Sequence, residues 1–262
     1  MHEQHPPLNS RTSDGELLVR GERIPALIAS ASFLDAVFLL LREDRPNDRE
    51  RAMLEAMLVA VCDHGEEPPS TVAARTSAST GNGLHVAIAA GLLAMGPKHG
   101  CAVAAAMELL ARTESPEVIV REAIATGQRL SGFGHKVYVA QDPRTIALLA
   151  RAKELGYHRE YVARALVMER ALIAAKGKGV PLNVDGCLAA LALELRIPLA
   201  AGNALFILGR LPGLAAHAIE ASASKTYTRA TATTTSAYPL IREIIRESPP
   251  QAPHVGGQAV MA

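Results

Sequence analysis

The segment Gly132-Phe133-Gly134-His135-Lys136-Val137-Tyr138-Val139-Ala140-Gln141-Asp142-Pro143-Arg144 carries more chemical information than any other part of this 262-residue chain. Two glycines precede the histidine, so little side-chain bulk surrounds His135 and a ligand can approach both its ring and the backbone. Asp142-Pro143 reads as an N-cap and a first helical residue, which fixes where Arg144 points. An imidazole that gives or takes a proton, beside a guanidinium that grips a carboxylate, is a small catalytic kit.

Outward from this segment, helix signals dominate. Ser32 is expected to cap an apolar helix over 33–41, and a second helix runs from about Asn47 through Met53, Leu54, Met57 and Val61 to Asp63-His64-Gly65. Pro68-Pro69-Ser70 starts a third, interrupted or bent around Gly81-Asn82-Gly83 and ending at Gly96-Pro97. Ser115-Pro116-Glu117 opens another, residues 158–176 read as a partly solvated helix, and 200–220 as a helix interrupted by Gly209 and Pro212. One strand pair is expected, a short hairpin over 16–24 about Gly21. Residues 1–14 are polar and proline-containing, with no order expected, and the Pro/Gly-rich tail 249–262 is expected to be mobile. The class is mainly α.

Composition agrees. Hydrophobic residues make up 49%, charged residues 20% and aromatic residues 3% with no Trp, so Ala, Leu, Val and Ile must build the core and helices must pack closely. A net charge of +1, from 27 basic and 26 acidic residues, provides no field to attract nucleic acid. Cys62, Cys101 and Cys187 form no C-x-x-C pair and read as three reduced core thiols. The N-terminus lacks the basic start and apolar run of a signal peptide, and no stretch of roughly 20 uncharged apolar residues offers a membrane span. The expectation is a cytoplasmic protein without a membrane partner.

Four places put polar residues at the ends of apolar helices: Asp63-His64-Gly65, Gly96-Pro97-Lys98-His99-Gly100, the His135/Arg144 segment, and Asn183-Val184-Asp185-Gly186. Each has a plain structural reading, since a histidine at a helix end caps carbonyls and Asp185 serves as a first-turn acid. Their recurrence, three histidines in Gly-containing turns plus one acid in an apolar helix, favours a shared site. A metal site is not expected, because no H-x-x-x-H pair lies on one helix face.

Taken in order, the four segments resemble the citrate synthase superfamily. Leu208-Gly209-Arg210, followed by Gly213 and Ala216-His217, resembles that family's arginine segment. The spellings Asp63-His64-Gly65, Asn183-Val184-Asp185-Gly186 and Leu208-Gly209-Arg210 are similar to citryl-CoA lyases and the lyase module of ATP-citrate lyase. The resemblance implies a citrate synthase-like two-domain helical fold in a homodimer or higher homo-oligomer. A large domain would come from 15–99 plus 200–248, with a smaller domain, 100–199, inserted. The implied chemistry joins acetyl-CoA, or a similar acyl-CoA, to oxaloacetate, or cleaves citryl-CoA, with the coenzyme A thioester as substrate and no permanent cofactor. Asp185 would be the base, His99 the donor to the enolate oxygen, and His135 the acid for the ketone. Arg144 and Arg210, with His64, would hold the substrate carboxylates, and Arg229 would be a further arginine. Ser131, Gly132, Phe133 and Gly134 would receive the CoA adenine, and Lys176 or Lys178 its phosphates; the two lysines read equally well as a solvated helix end.

The chain departs from a standard citrate synthase by lacking a large helical piece between Leu41 and the helix that ends at His64. That puts full synthase action, which also hydrolyses the citryl thioester, in question. The alternative from another class is a catalytically silent CoA- or carboxylate-binding protein that regulates or scaffolds a complex.

Overall fold

The computed structural model describes residues 6–224 apart from Lys136 and Lys178, and these fall within one compact unit. Arg229, Lys178 and the 249–262 tail therefore lie outside the described residues. Three short strands open the chain: β1 (Asn9–Arg11), β2 (Leu17–Val19) and β3 (Glu22–Arg23), antiparallel in the order β1-β2-β3. The β2/β3 turn carries Gly21 at φ 79, where the sequence predicts a hairpin. β1 corrects the expectation of no order before residue 14. A Thr12 to Glu16 turn, closed by Thr12 N to Glu16 O at 3.0 Å and Gly15 N to Thr12 O at 3.0 Å, returns the polar chain onto β2.

Eleven α-helices follow among the described residues. The first is α1 (Ile24–Ser30), where the sequence reading had ended the hairpin. α2 (Phe33–Arg42) begins in a capping box: Ser32 Oγ accepts from Asp35 N at 3.2 Å, and Asp35 Oδ2 accepts from Ser32 N at 2.8 Å. α3 (Asp48–Val59) repeats the device with Asn47 and Glu50. The expected third helix is two, α4 (Pro69–Ser79) and α5 (Leu84–Leu93), because Gly81 at φ 91 ends the first and Gly83 starts the second. α6 (Val103–Leu110), α7 (Pro116–Thr126), α8 (Pro143–Leu155) and α9 (Glu160–Lys176) follow. Ser115 and Asp142 cap α7 and α8 as the sequence predicts.

α10 (Val184–Glu194) is the most deeply enclosed helix, with eight residues from Val184 to Ala192 buried; it packs on α6, α8 and α9. α11 (Gly202–Ala223) packs on α3, α4, α5 and α6. It runs unbroken through Gly209 and Pro212, contrary to the expected interruption. Pro212 gives up one backbone hydrogen bond. The two glycines, however, let another chain segment touch the helix. A Cβ on Gly209 would meet Val61 Cγ2 at 2.5 Å, and one on Gly213 would meet Cys62 O at 2.2 Å. Tertiary contact there outweighs the local cost. The stretch Leu199–Ala223 has the length and hydropathy of a membrane span, which the sequence reading did not find. Its composition follows instead from its place against four other helices, with Arg210 buried in mid-helix.

The cysteines need a correction: Cys187 is buried, but Cys62 is exposed and Cys101 half-buried. Cys62 lies in the turn after α3, where its backbone faces α11.

Two devices hold this frame, and each gives a prediction. Arg42, at the end of α2, donates to Glu50 at 2.7 and 3.1 Å and to Leu195 O at 2.9 Å, with side chains only 4% and 8% exposed. Arg42→Met leaves Glu50 largely buried and short of its main partner, and should cost about 3 kcal/mol in a urea melt. Removing the exposed Arg151–Glu154 pair should leave the midpoint unchanged. Gly132 has φ +88, and a Cβ there would lie 2.6 Å from Gly186 Cα. Gly132→Ala should therefore lose about 3 kcal/mol or more, against about 1–2 kcal/mol for Gly81→Ala, where φ is +91 but the space is open.

Candidate active site

The contact between Gly132 and Gly186 brings two of the four polar segments together. A Cβ on Gly186 would sit 2.4 Å from Gly132 O, so neither position tolerates a side chain. The chain ahead of His135 is then strapped to the chain ahead of Asp185. Asn183 N donates to Gly132 O at 3.0 Å, Gly134 N to Pro181 O at 2.7 Å, and Asn183 Nδ2 to Gly134 O at 2.8 Å. Three backbone groups that the sequence reading offers to an adenine are thus engaged inside the fold.

His135 lies where this strap ends. Its Nδ1 accepts from Val137 N and Tyr138 N, both at 3.0 Å, which assigns the proton of the neutral ring to Nε2, and Arg144 Nη2 stands 3.4 Å from that nitrogen, ready to stabilise it when the proton leaves. The Tyr138 ring stacks on it with centroids 4.7 Å apart, and the His64 ring meets it edge-on at 6.0 Å. Burial holds His135 below its ordinary pKa; Asp142 opposes this and Arg144 adds to it. His64 is held low by burial and then by the charges of Arg144, Arg210 and His135. Both rings therefore favour the neutral form.

Arg144 is oriented by Asp142 through a two-pronged ion pair, Nε to Oδ1 at 3.0 Å and Nη2 to Oδ2 at 2.8 Å. Its Nη1 makes no hydrogen bond to a described residue. Asp142 is held ionised: burial pushes its pKa up, but Arg144 and the backbone N–H of Arg144 and Val184 bring it below the ordinary value. Arg210 comes from α11. It is 1% exposed, donates through Nε to Val61 O at 2.7 Å, and lies 4.9 Å over the Phe206 ring. Gly209 and Gly213 make that approach possible, and the same turn carries His64. Arg210 Nη1 is buried with no partner among the described residues.

Asp185, in the first turn of α10, is the base candidate. Its Oδ1 is shut off from solvent and has no hydrogen-bond partner among the described residues. Burial raises its pKa; the charges of Arg144 and Arg210 oppose the rise without cancelling it. His99 is reached through α4: Ser70 Oγ lies 2.8 Å from His99 Nε2, and Ser70 N points at the same nitrogen at 3.4 Å. That arrangement makes Nε2 the acceptor and leaves a proton on Nδ1. The next residue, Gly100, packs against Phe206, so the His99 turn abuts the ring beneath Arg210.

Of the other predicted residues, Phe133 is buried and paired with Leu182, Ser131 is half-buried, and Lys176 is exposed at the end of α9. Asp142 and Ser70 were read only as helix starts; their second roles depend on residues far away in sequence. The i, i+2 spacing of Asp142 and Arg144 beside a proline was a usable sign of the ion pair. One group of metal-ligand type also gathers, Glu66, His217 and Glu220. Arg75 Nη1 already stands among them, 2.6 Å from Glu220 and 3.4 Å from His217 Nδ1.

The comparisons with known proteins follow the same lines. Residues 42–231 match the family model described as the citrate synthase C-terminal domain. A citryl-CoA lyase from Hydrogenobacter thermophilus superposes with a TM-score of 0.79 at 35% identity, covering 100% of this chain and 98% of that one. The ternary complex of carboxymethyl coenzyme A and oxaloacetate with citrate synthase from Thermoplasma acidophilum gives 0.67 at 27% identity, over 89% of this chain and 59% of that one. The citrate/2-methylcitrate synthase of Bacillus subtilis is 31% identical over 77% of this chain and 54% of its own length. The chain spans about half the length of the curated relatives it matches. With the motif order, the mainly helical fold and the family model in agreement, this chain belongs to the citrate synthase family.

Proposed function

We propose that the chain makes or breaks the carbon–carbon bond between an acyl-CoA and a 2-oxo acid, with acetyl-CoA and oxaloacetate, or citryl-CoA, as the substrates. The observation that carries this reading is the unpartnered Oδ1 of Asp185, on which the charges of Arg144 and Arg210 act, those arginines acting also on His64. A carboxylate with raised proton affinity suits removal of a weakly acidic C–H proton. A form that works as a citryl-CoA lyase is supported by likeness: the citryl-CoA lyase superposes at 35% identity, the Thermoplasma citrate synthase at 27%.

In the joining direction Asp185 takes a proton from the methyl beside the thioester. The negative charge that develops on the thioester oxygen meets the imidazole of His99. The new enol carbon attacks the ketone carbon of oxaloacetate, whose oxygen takes the Nε2 proton of His135 as the bond forms. Cleavage runs the same transfers backwards and so starts with the proton shifted from His135 Nε2 to Asp185: His135 Nε2 accepts the hydroxyl proton, the bond breaks, and Asp185 returns its proton to carbon, which restores the resting state. Arg210 Nη1, buried without a partner among the described residues, and Arg144 suit the two carboxylates, and His64, on which both arginine charges act, adds a donor. Arg229 and Lys178 keep the roles the resemblance gives them. CoA would meet Ser131 and Lys176, which keep exposed surface, while Phe133, Gly132 and Gly134 shape the loop from within. The division into a large domain of 15–99 with 200–248, and a smaller one of 100–199, is part of the same reading, as is a homodimer.

The test pairs two assays on purified protein, methyl-proton exchange of acetyl-CoA in deuterated water and cleavage of supplied citryl-CoA. Asp185→Asn should lose about 10²–10⁴-fold in both while still binding CoA. A wild-type protein that binds CoA but does neither reaction would overturn the proposal in favour of a silent binding module. Release of free CoA from acetyl-CoA plus oxaloacetate would assign complete synthesis in place of the lyase.

A further inference from the structure

Asp142 satisfies the needs of a helix cap with one bond, yet its carboxylate makes four. Oδ1 accepts from Arg144 N and from Arg144 Nε, each at 3.0 Å; Oδ2 accepts from Arg144 Nη2 at 2.8 Å and from Val184 N at 3.2 Å. Its side chain is 0% exposed, so none of these bonds is shared with water. A carboxylate offers about four acceptor sites, and all are filled. The partners are the informative part. Arg144 is the cation of the substrate side, and Val184 is the residue immediately before Asp185, at the first position of α10. With Nε and Nη2 turned to Asp142, and Nη2 also 3.4 Å from His135 Nε2, Nη1 is the guanidinium nitrogen left to a ligand.

We infer that Asp142 is a positioning residue that couples the carboxylate grip of Arg144 to the placement of Asp185. The roles assigned to Arg144 and Asp185 rest on the reading under Proposed function; the coupling itself is physical and can be measured without turnover. Because Oδ2 bonds both an arginine nitrogen and the amide that starts α10, a shift in either is felt by the other. The electrostatics run the same way. The charges that act on Asp185 are Arg144 and Asp142 at the start of α8 and Arg210 on α11; of these Asp142 favours the protonated form and the two arginines oppose it. From α9, Glu169 is committed to Leu182 N at 2.7 Å, and α6 carries a single charged residue, Glu108, which is exposed.

Asp142→Asn separates this role from capping. Asparagine caps helices as well as aspartate does, so the start of α8 is retained. Its Nδ2, however, would turn a donor toward Arg144 Nη2 and Val184 N, which are donors themselves. Two readouts follow, neither needing catalysis. The Asp185 carboxyl carbon, followed by 13C NMR against an Asp185→Asn control, should titrate at lower pH in Asp142→Asn than in wild type, since a negative neighbour is gone and Arg144 is released. Calorimetric binding of oxaloacetate should weaken about tenfold or more, the loss of one oriented charge-assisted bond. Unchanged titration and affinity in a folded variant would overturn the coupling. If Asp142→Asn does not fold, Asp142→Ser, which still caps, gives the same two readouts; failure of both to fold would assign Asp142 to structure alone and also overturn it. Wild-type protein inactive in the exchange and cleavage assays would sink the proposed reaction but leave these measurements valid.

Discussion

A carboxylate withdrawn from water on an apolar helix, with no hydrogen bond to one of its oxygens, is the constraint around which this molecule is arranged. Asp185 has two arginine charges acting on it, and an ion pair with either would normally hold it ionised. Neither makes a hydrogen bond to it. Arg144 is turned toward Asp142, and Arg210 is tied to the Val61 carbonyl. Burial therefore outweighs the charges, and the carboxyl keeps a raised affinity for a proton. The unpartnered Arg210 Nη1 is the complementary defect, a donor left without an acceptor in the same buried region. Unsatisfied buried groups of this kind cost stability unless something completes them.

The fold earns that arrangement through close backbone contacts more than through large side chains. Gly132 against Gly186 sets the His135 strap beside the start of α10, and Gly209 with Gly213 sets the His64 turn against α11. A core poor in aromatic residues permits such approach, because Ala- and Leu-faced helices pack near one another. The rest of the frame, from the capping boxes of α2 and α3 to the Arg42–Glu50 pair, keeps these contacts in register.

Much of this was legible from local sequence. Caps at Ser32, Asn47, Ser115 and Asp142 and stops at glycine fixed most helix boundaries, because capping is decided within a few residues. The four polar segments were legible for a similar reason: each is short and each breaks an apolar run. β1 was missed because its pairing depends on a turn closed by backbone bonds, which a polar composition does not reveal. The continuity of α11 through Pro212 was missed because tertiary packing decides it, and so was the exposure of Cys62. In the site, residue types were visible but partnerships were not. Nothing local announces that Ser70 will meet His99, 29 positions on, or that Asp142 will accept from Val184, 42 positions on.

The central claim is that Asp185 acts as a base whose proton affinity is raised by burial. The pH dependence of methyl-proton exchange from acetyl-CoA in wild-type protein tests it most directly, with folding checked by circular dichroism at each pH. The account predicts that exchange falls on the acid side with an apparent pKa above 3.8, the ordinary value for an aspartate. Exchange that persists undiminished to that value, or that is unaltered in Asp185→Asn, would contradict it.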